Sequence, residues 1–117
     1  MTFHPPLEVS ARETGGVHYL QVQGRLTIGE PSEHLNDFTQ QLLKQGARKM
    51  IVNLNSIPQI DSSGISSLVK LSISLARYGG GLHLVCGPGR VRDALTVTRL
   101  VEAIPTFESE EAASAGF

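Results

Sequence analysis

The sequence predicts an α/β fold: a small mixed β-sheet that opens with an N-terminal antiparallel hairpin, continues with parallel strands and is covered by α-helices. Three observations predict it. Leu7, Val9 and Ala11 alternate with polar residues, Gly15-Gly16 supplies a turn, and Leu20, Val22 and Gly24 alternate again, which is the pattern of a hairpin with one covered face. Met50-Ile51-Val52-Asn53-Leu54 and Leu82-His83-Leu84-Val85-Cys86 are near-continuous apolar runs, as strands buried on both faces require. Between and after these runs, apolar residues recur at helical spacing.

After the hairpin, Thr27-Ile28-Gly29-Glu30 is a loop and Pro31 suits the first turn of a helix. Leu35, Phe38, Leu42 and Leu43 form its apolar stripe, and Gly46 is placed to end it. The strand at Met50–Leu54 follows. A central helix then runs from Asp61–Gly64 to about Tyr78, with Ile65, Leu68, Val69, Ser72, Leu75 and Ala76 as its predicted core side and Leu71 and Ile73 at the edge of that core. Gly79-Gly80-Gly81 stops it, and the second apolar strand follows. Gly87-Pro88-Gly89 turns into a third helix that buries Val91, Ala94 and Leu95. Ile104–Phe107 reads as a short strand, and Glu108–Ala115 as a last helix capped by Ser109. The order is ββαβαβα and then βα, with right-handed crossovers. A sheet this small can carry all its helices on one face.

Length and composition narrow the function. The 117 residues suffice for one domain with a sizeable core, and residues 1–117 are read as a single unit with its core at about 7–113. A net charge of −1, few aromatics and no tryptophan argue against a nucleic-acid partner. The single cysteine, Cys86, closes an apolar run and reads as a buried, inert thiol in a reducing compartment. Met1–Pro6 lacks the basic and apolar regions of a signal peptide, and no apolar run approaches the roughly 20 residues of a membrane span. A cytoplasmic protein without membrane insertion is expected.

The informative stretch is Asp61-Ser62-Ser63-Gly64, where the buried strand gives way to the central helix. Asp61 or Ser62 can accept from the free N–H groups of the first turn. At about 100° per residue, Ser63 falls nearly opposite Ile65, whereas Ser62 lies about 60° from it and leans toward the core. Ser63 is therefore expected as an exposed hydroxyl at the positive end of a helix, where a phosphate is favoured. Gly64 permits close approach of another backbone. Ser63, Ser66, Ser67, Lys70 and Ser74 share the predicted polar face, which is flat enough for a partner to dock.

At this point the sequence resembles a known family. Gly24-Arg25-Leu26, Ile51-Val52-Asn53-Leu54, Ile60-Asp61-Ser62-Ser63-Gly64-Ile65, Gly79-Gly80-Gly81-Leu82 and Leu84-Val85 together look like the STAS domain of bacterial anti-sigma-factor antagonists, from about Leu7 to Ala113. The resemblance implies a STAS-like single domain and a partner-switching mechanism. It implies phosphorylation at Ser63, the second serine of the motif, by an anti-sigma factor that is also a serine kinase. Asp61, Ser62 and Gly64 would support the phosphosite. The unmodified protein would bind the anti-sigma factor and free a sigma factor, and a serine phosphatase of the 2C class would reset the switch. Thr27, Gly29, Glu30, Ser66, Ser67 and Lys70 are the expected partner-binding residues, on a monomer or weak dimer. One departure stands out: many members are acidic just after the Gly-x-Leu that ends the second strand, and here that position is Thr27, with only Glu30 nearby.

Other readings are weaker. Ser63 could be a mere helix-start serine. The same fold could serve as a cytoplasmic subunit of a lipid or anion transport system. A serine hydrolase would need Gly-x-Ser-x-Gly, but Asp61 and Ile65 occupy the glycine positions. His4 lies in the loose N-terminus, His18 and His34 lie on predicted polar faces, and His83, between two leucines, reads as structural. No Gly-Lys-Ser/Thr phosphate loop and no metal-ligand spacing is present, so no catalytic residue, metal or cofactor is expected.

Overall fold

The computed structural model describes residues 7–117. The expectations placed on Met1–Pro6, including His4, lie outside them. The described chain forms a five-stranded sheet in the order β1-β2-β3-β4-β5. Strands β1 (Leu7–Thr14) and β2 (Val17–Gly24) are the antiparallel hairpin, paired from Leu7↔Gly24 to Thr14↔Val17. Strands β3 (Lys49–Ser56), β4 (Gly81–Val85) and β5 (Thr106–Phe107) add in parallel. The helices are α1 (Glu30–Lys44), α2 (Ser62–Arg77), α3 (Arg90–Val97), α4 (Leu100–Ala103) and α5 (Glu110–Ala115). The sequence did not reveal α4. It is a single turn started by Arg99 in the left-handed region (φ 63°), and four residues are too few to show a period.

The two faces of the sheet are filled differently. Met50, Val52 and Leu54 of β3 and Leu82 and Leu84 of β4 point into the main core, against Leu35 and Leu43 of α1, Leu68, Leu71 and Leu75 of α2, and Val91 and Leu95 of α3. Ile51 and Val85 point the other way, into a smaller cluster with Val17 and Ala113, flanked by Tyr19, Phe107 and Phe117. The helices therefore do not share one face: α5 covers the reverse side. Its start is held by Ser109, whose Oγ accepts from Ala112 N at 3.1 Å, and by Glu110, which pairs with Arg12 at 2.8 Å and accepts from Asn53 at 3.3 Å. His83 is buried there, with Nδ1 2.8 Å from the Ala113 carbonyl and its ring stacked on Phe117 at 3.8 Å, as a structural histidine should be. Cys86 is buried, and that burial pushes its thiol pKa up despite the nearby Arg92 charge.

The register of α2 corrects the sequence reading. Its buried residues are Gly64, Ser67, Leu68, Leu71 and Leu75, while Ala76 is exposed and Ser72 is half-buried. The core side is thus rotated by roughly a quarter turn from the one the branched residues suggested. Leu71 is 3 % exposed and Ile73 is 50 % exposed, so only Leu71 belongs to the core. Close approach is the cause. A Cβ on Gly64 would collide with the Leu26 carbonyl oxygen and come within 2.8 Å of the Ile60 side chain. Gly64 therefore faces inward, and Ser67 and the leucines below it follow. Ser67 is 4 % exposed, and its hydroxyl donates to the Ser63 carbonyl at 3.1 Å instead of facing solvent.

This register makes a testable distinction. Leu71→Ala should cost about 2–5 kcal/mol in urea unfolding, as truncation of a buried leucine does. Ile73→Ala should stay within about 0.5 kcal/mol of the parent, as surface changes do. Equal effects, or the reverse order, would restore the original register.

Candidate functional site

The candidate site is built where the chain after β2 meets the start of α2. Leu26 forms an isolated parallel bridge with Ile60, through Leu26 N to Gln59 O at 3.0 Å and Asp61 N to Leu26 O at 3.3 Å. Asp61 then takes the N-cap position in extended geometry. Its Oδ1 accepts from Ser63 N at 2.9 Å and Gly64 N at 3.1 Å, and its Oδ2 accepts from Ile28 N at 2.9 Å. One carboxylate thus caps α2 and holds the 26–29 loop against it. The loop is also tied to the first turn of α1 through Thr27, whose carbonyl accepts from both Ser32 N (3.2 Å) and Ser32 Oγ (2.7 Å). Gly29, at φ 89°, turns the chain into α1.

The result is an open groove of about 330 Å³ between the first turns of α1 and α2. Gly29, Ser32, Glu33 and Asn36 line one side, and Ser62, Ser63, Ser66, Ser67 and Lys70 line the other. Of the expected site residues, Gly29, Ser62, Ser63, Ser66, Ser67 and Lys70 meet here. Thr27 and Asp61 lie beneath it as structural supports, and Glu30 is exposed at the start of α1. Ser67 contributes to the floor, not to an exposed face. Ser32, Glu33 and Asn36 were not foreseen. The available signal was Pro31-Ser32 in a first helical turn, but only the Asp61 clamp shows that this turn faces α2.

The two adjacent serines change places relative to the sequence reading. Ser62 is exposed and Ser63 is half-buried, because α2 turns its Gly64 side inward. Exposure therefore does not single out Ser63. Direction does: at about 100° per residue, the groove-lining residues of α2 centre on Ser63 and Lys70, with Ser62 at one edge. The Ser63 backbone N–H is already taken by Asp61, and Ser63 is not needed as a cap.

Electrostatics follow from the same contacts. Partial burial pushes the Asp61 carboxyl up, but the N–H donors of Ile28, Gly64 and Ser63 outweigh it and hold the pKa below its ordinary value. The ionised form is therefore favoured by folding. Its contribution is fully present above the unfolded value of about 3.9 and is lost as pH falls through the lower folded value. Asp61→Asn keeps the cap through its one amide oxygen but removes the charge and the acceptor for the Ile28 N–H. The stability gap between the parent and Asp61→Asn should be constant near neutral pH and should narrow below about pH 4. Asp61→Ala should cost about 0.5–2 kcal/mol, as loss of a cap does. Urea titrations across pH measure both, and a gap that widens in acid would contradict the assignment.

Known proteins share this fold. The chain is similar to a Thermotoga maritima protein proposed as an anti-sigma factor antagonist (21 % identity, TM-score 0.86, 92 % of each chain covered). It is also similar to the anti-sigma factor antagonist SpoIIAA. The unphosphorylated form gives 18 % identity and a TM-score of 0.70, with 93 % of this chain and 96 % of that one covered. The phosphorylated form from Bacillus gives 19 % and 0.71, with 94 % and 100 % covered. A sulfate transporter family protein from Wolinella succinogenes has the same fold (22 % identity, TM-score 0.73, 87 % and 84 % covered). No curated protein sequence matches the chain. Residues 8–113 match the STAS domain, and the chain belongs to the STAS domain family.

Proposed function

We propose that the chain is an anti-sigma-factor antagonist, a non-catalytic binding module whose docking is switched by phosphorylation of Ser63. The observation that carries this reading is the groove at the start of α2. It gathers a helix N-terminus, a serine at its centre and a fixed loop onto one surface. The partner is an anti-sigma factor with serine kinase activity, and a serine phosphatase of the 2C class reverses the modification. Likeness to SpoIIAA supports the assignment, and that protein exists in both unphosphorylated and phosphorylated forms.

The physics of the switch needs little movement. A phosphate adds about −1.5 to −2 charge and sits in the first turn of α2, where the helix dipole favours it by roughly 0.3–1 kcal/mol. The fold tolerates the group. A partner surface closing over the groove does not, because it must desolvate that charge beside Glu33. Among the described residues the groove lining includes no histidine to act as a base for Ser63, which disfavours a hydrolase. The transporter-like neighbour supports a second reading, a cytoplasmic subunit of an anion transport system, in which Ser63 is only a contact residue.

Phosphopeptide mapping after reaction with the cognate kinase and ATP separates these readings. Ser62→Ala should be modified as the parent is, and Ser63→Ala should not be modified. Ser63→Ala should stay bound to the anti-sigma factor, while Ser63→Asp should bind at least about tenfold more weakly, a loss of about 1.4 kcal/mol. Ser66→Arg should weaken docking with thermal stability nearly unchanged, because Ser66 is exposed on the groove rim. Phosphate on Ser62 alone, or full modification of Ser63→Ala, would overturn the Ser63 assignment.

A further inference from the structure

On the other side of the Leu26–Ile60 bridge lies a second depression, of about 460 Å³, lined by Arg25, Pro58, Gln59, Ile60, Arg90 and Val91. Two arginines face it. Neither has an ion pair or a side-chain hydrogen bond among the described residues. The other arginines of this end of the fold are accounted for: Arg92 donates to the Cys86 carbonyl at 2.8 Å, and Arg99 pairs with Glu102 at 2.7 Å. Arg90 is also badly placed for local stability. It opens α3, where the helix dipole disfavours a cation, and Gly89 before it offers no side-chain cap. A residue that breaks a local rule without a compensating contact points to function.

The opposite end of the molecule gives a useful contrast. Lys44, Arg48 and Arg77 also share a depression, but Lys44 and Arg77 sit in last helical turns where the dipole favours cations. Arg48 is held by the Leu43 and Ala47 carbonyls and lies over the Tyr78 ring. Those cations have structural work. Among the described residues, Arg25 and Arg90 have none.

We infer that Arg25 and Arg90 form a docking surface for an acidic segment of a partner protein. Guanidinium groups suit carboxylates because their planar forks bond them bidentately. Asp61, beside the bridge, is already occupied by three backbone N–H groups, and Asp93, in the same turn as Arg90, makes no ion pair with it among the described residues. The depression adjoins the Ser63 groove across the Leu26–Ile60 bridge, so one extended partner can reach both. The inference stands on the two arginines and does not require Ser63 to be phosphorylated.

Titration of a hexaglutamate peptide into the full ¹⁵N-labelled chain at low salt tests it. Saturable shifts are expected at the amides of Arg25, Gln59, Ile60, Arg90 and Val91. The Arg25→Gln/Arg90→Gln double variant should bind the peptide at least about tenfold more weakly, and Lys44→Gln/Arg77→Gln should bind within about twofold of the parent. Melting curves of both variants check that the fold is intact. Shifts concentrated at Lys44, Arg48 and Arg77, or unchanged affinity in the Arg25→Gln/Arg90→Gln protein, would overturn the inference. So would inorganic phosphate saturating the same amides at the same concentration, since that marks a small-anion pocket.

Discussion

The Asp61 carboxylate is the contact on which the rest of the site depends. It satisfies two free N–H groups at the start of α2 and one in the loop after β2, so a helix cap and a tertiary clamp are the same three hydrogen bonds. A helix N-terminus ordinarily needs a cap for its own stability. Here the third donor, Ile28 N, converts that local need into long-range order. The loop cannot move away without breaking a hydrogen bond to the carboxylate that caps the helix. Ile28 itself is 75 % exposed, so its position is set by its backbone and not by burial of its side chain.

Gly64 supplies the second constraint. Because Leu26 passes so close, the face of α2 that carries Gly64 must turn inward, and the rotation of the whole helix follows. That rotation decides which serines are floor, centre and rim: Ser67 is covered, Ser63 faces the groove and Ser66 reaches solvent. The chemistry of the surface is thus fixed by a backbone contact made by the residue with no side chain.

These two contacts mark the limit of what the sequence reveals. The alternation of β1 and β2, the apolar runs of β3 and β4, the Asp61 and Ser109 caps and the glycines after α2 are local signals, and each element formed where they placed it. The facing of α2 is not a local property. Its branched residues, Ile65 and Val69, suggested one side, but they are only half-buried and pack at the margin of the core. Small residues carry no hydrophobic signal of their own, so Ser67 reads as solvent-facing, and Gly64, though open to a close backbone approach, does not set the facing of the helix until Leu26 is seen against it. The same reason hid α1's share of the groove. Ser32, Glu33 and Asn36 are ordinary first-turn polar residues until the clamp turns them toward α2. The reverse side of the sheet was missed because α5 is only six residues long and buries one alanine, Ala113.

Under the proposed switch the frame stays rigid and only its surface charge changes, and amide exchange and chemical shifts of the phosphorylated and unmodified chain test this most directly. The expected result is that the Ile28 amide keeps its protection on phosphorylation, with shift changes confined to residues 27–33 and 61–70. Loss of protection at Ile28, or shift changes spreading through β3 and β4, would show that the modification breaks the Asp61 clamp and moves the backbone.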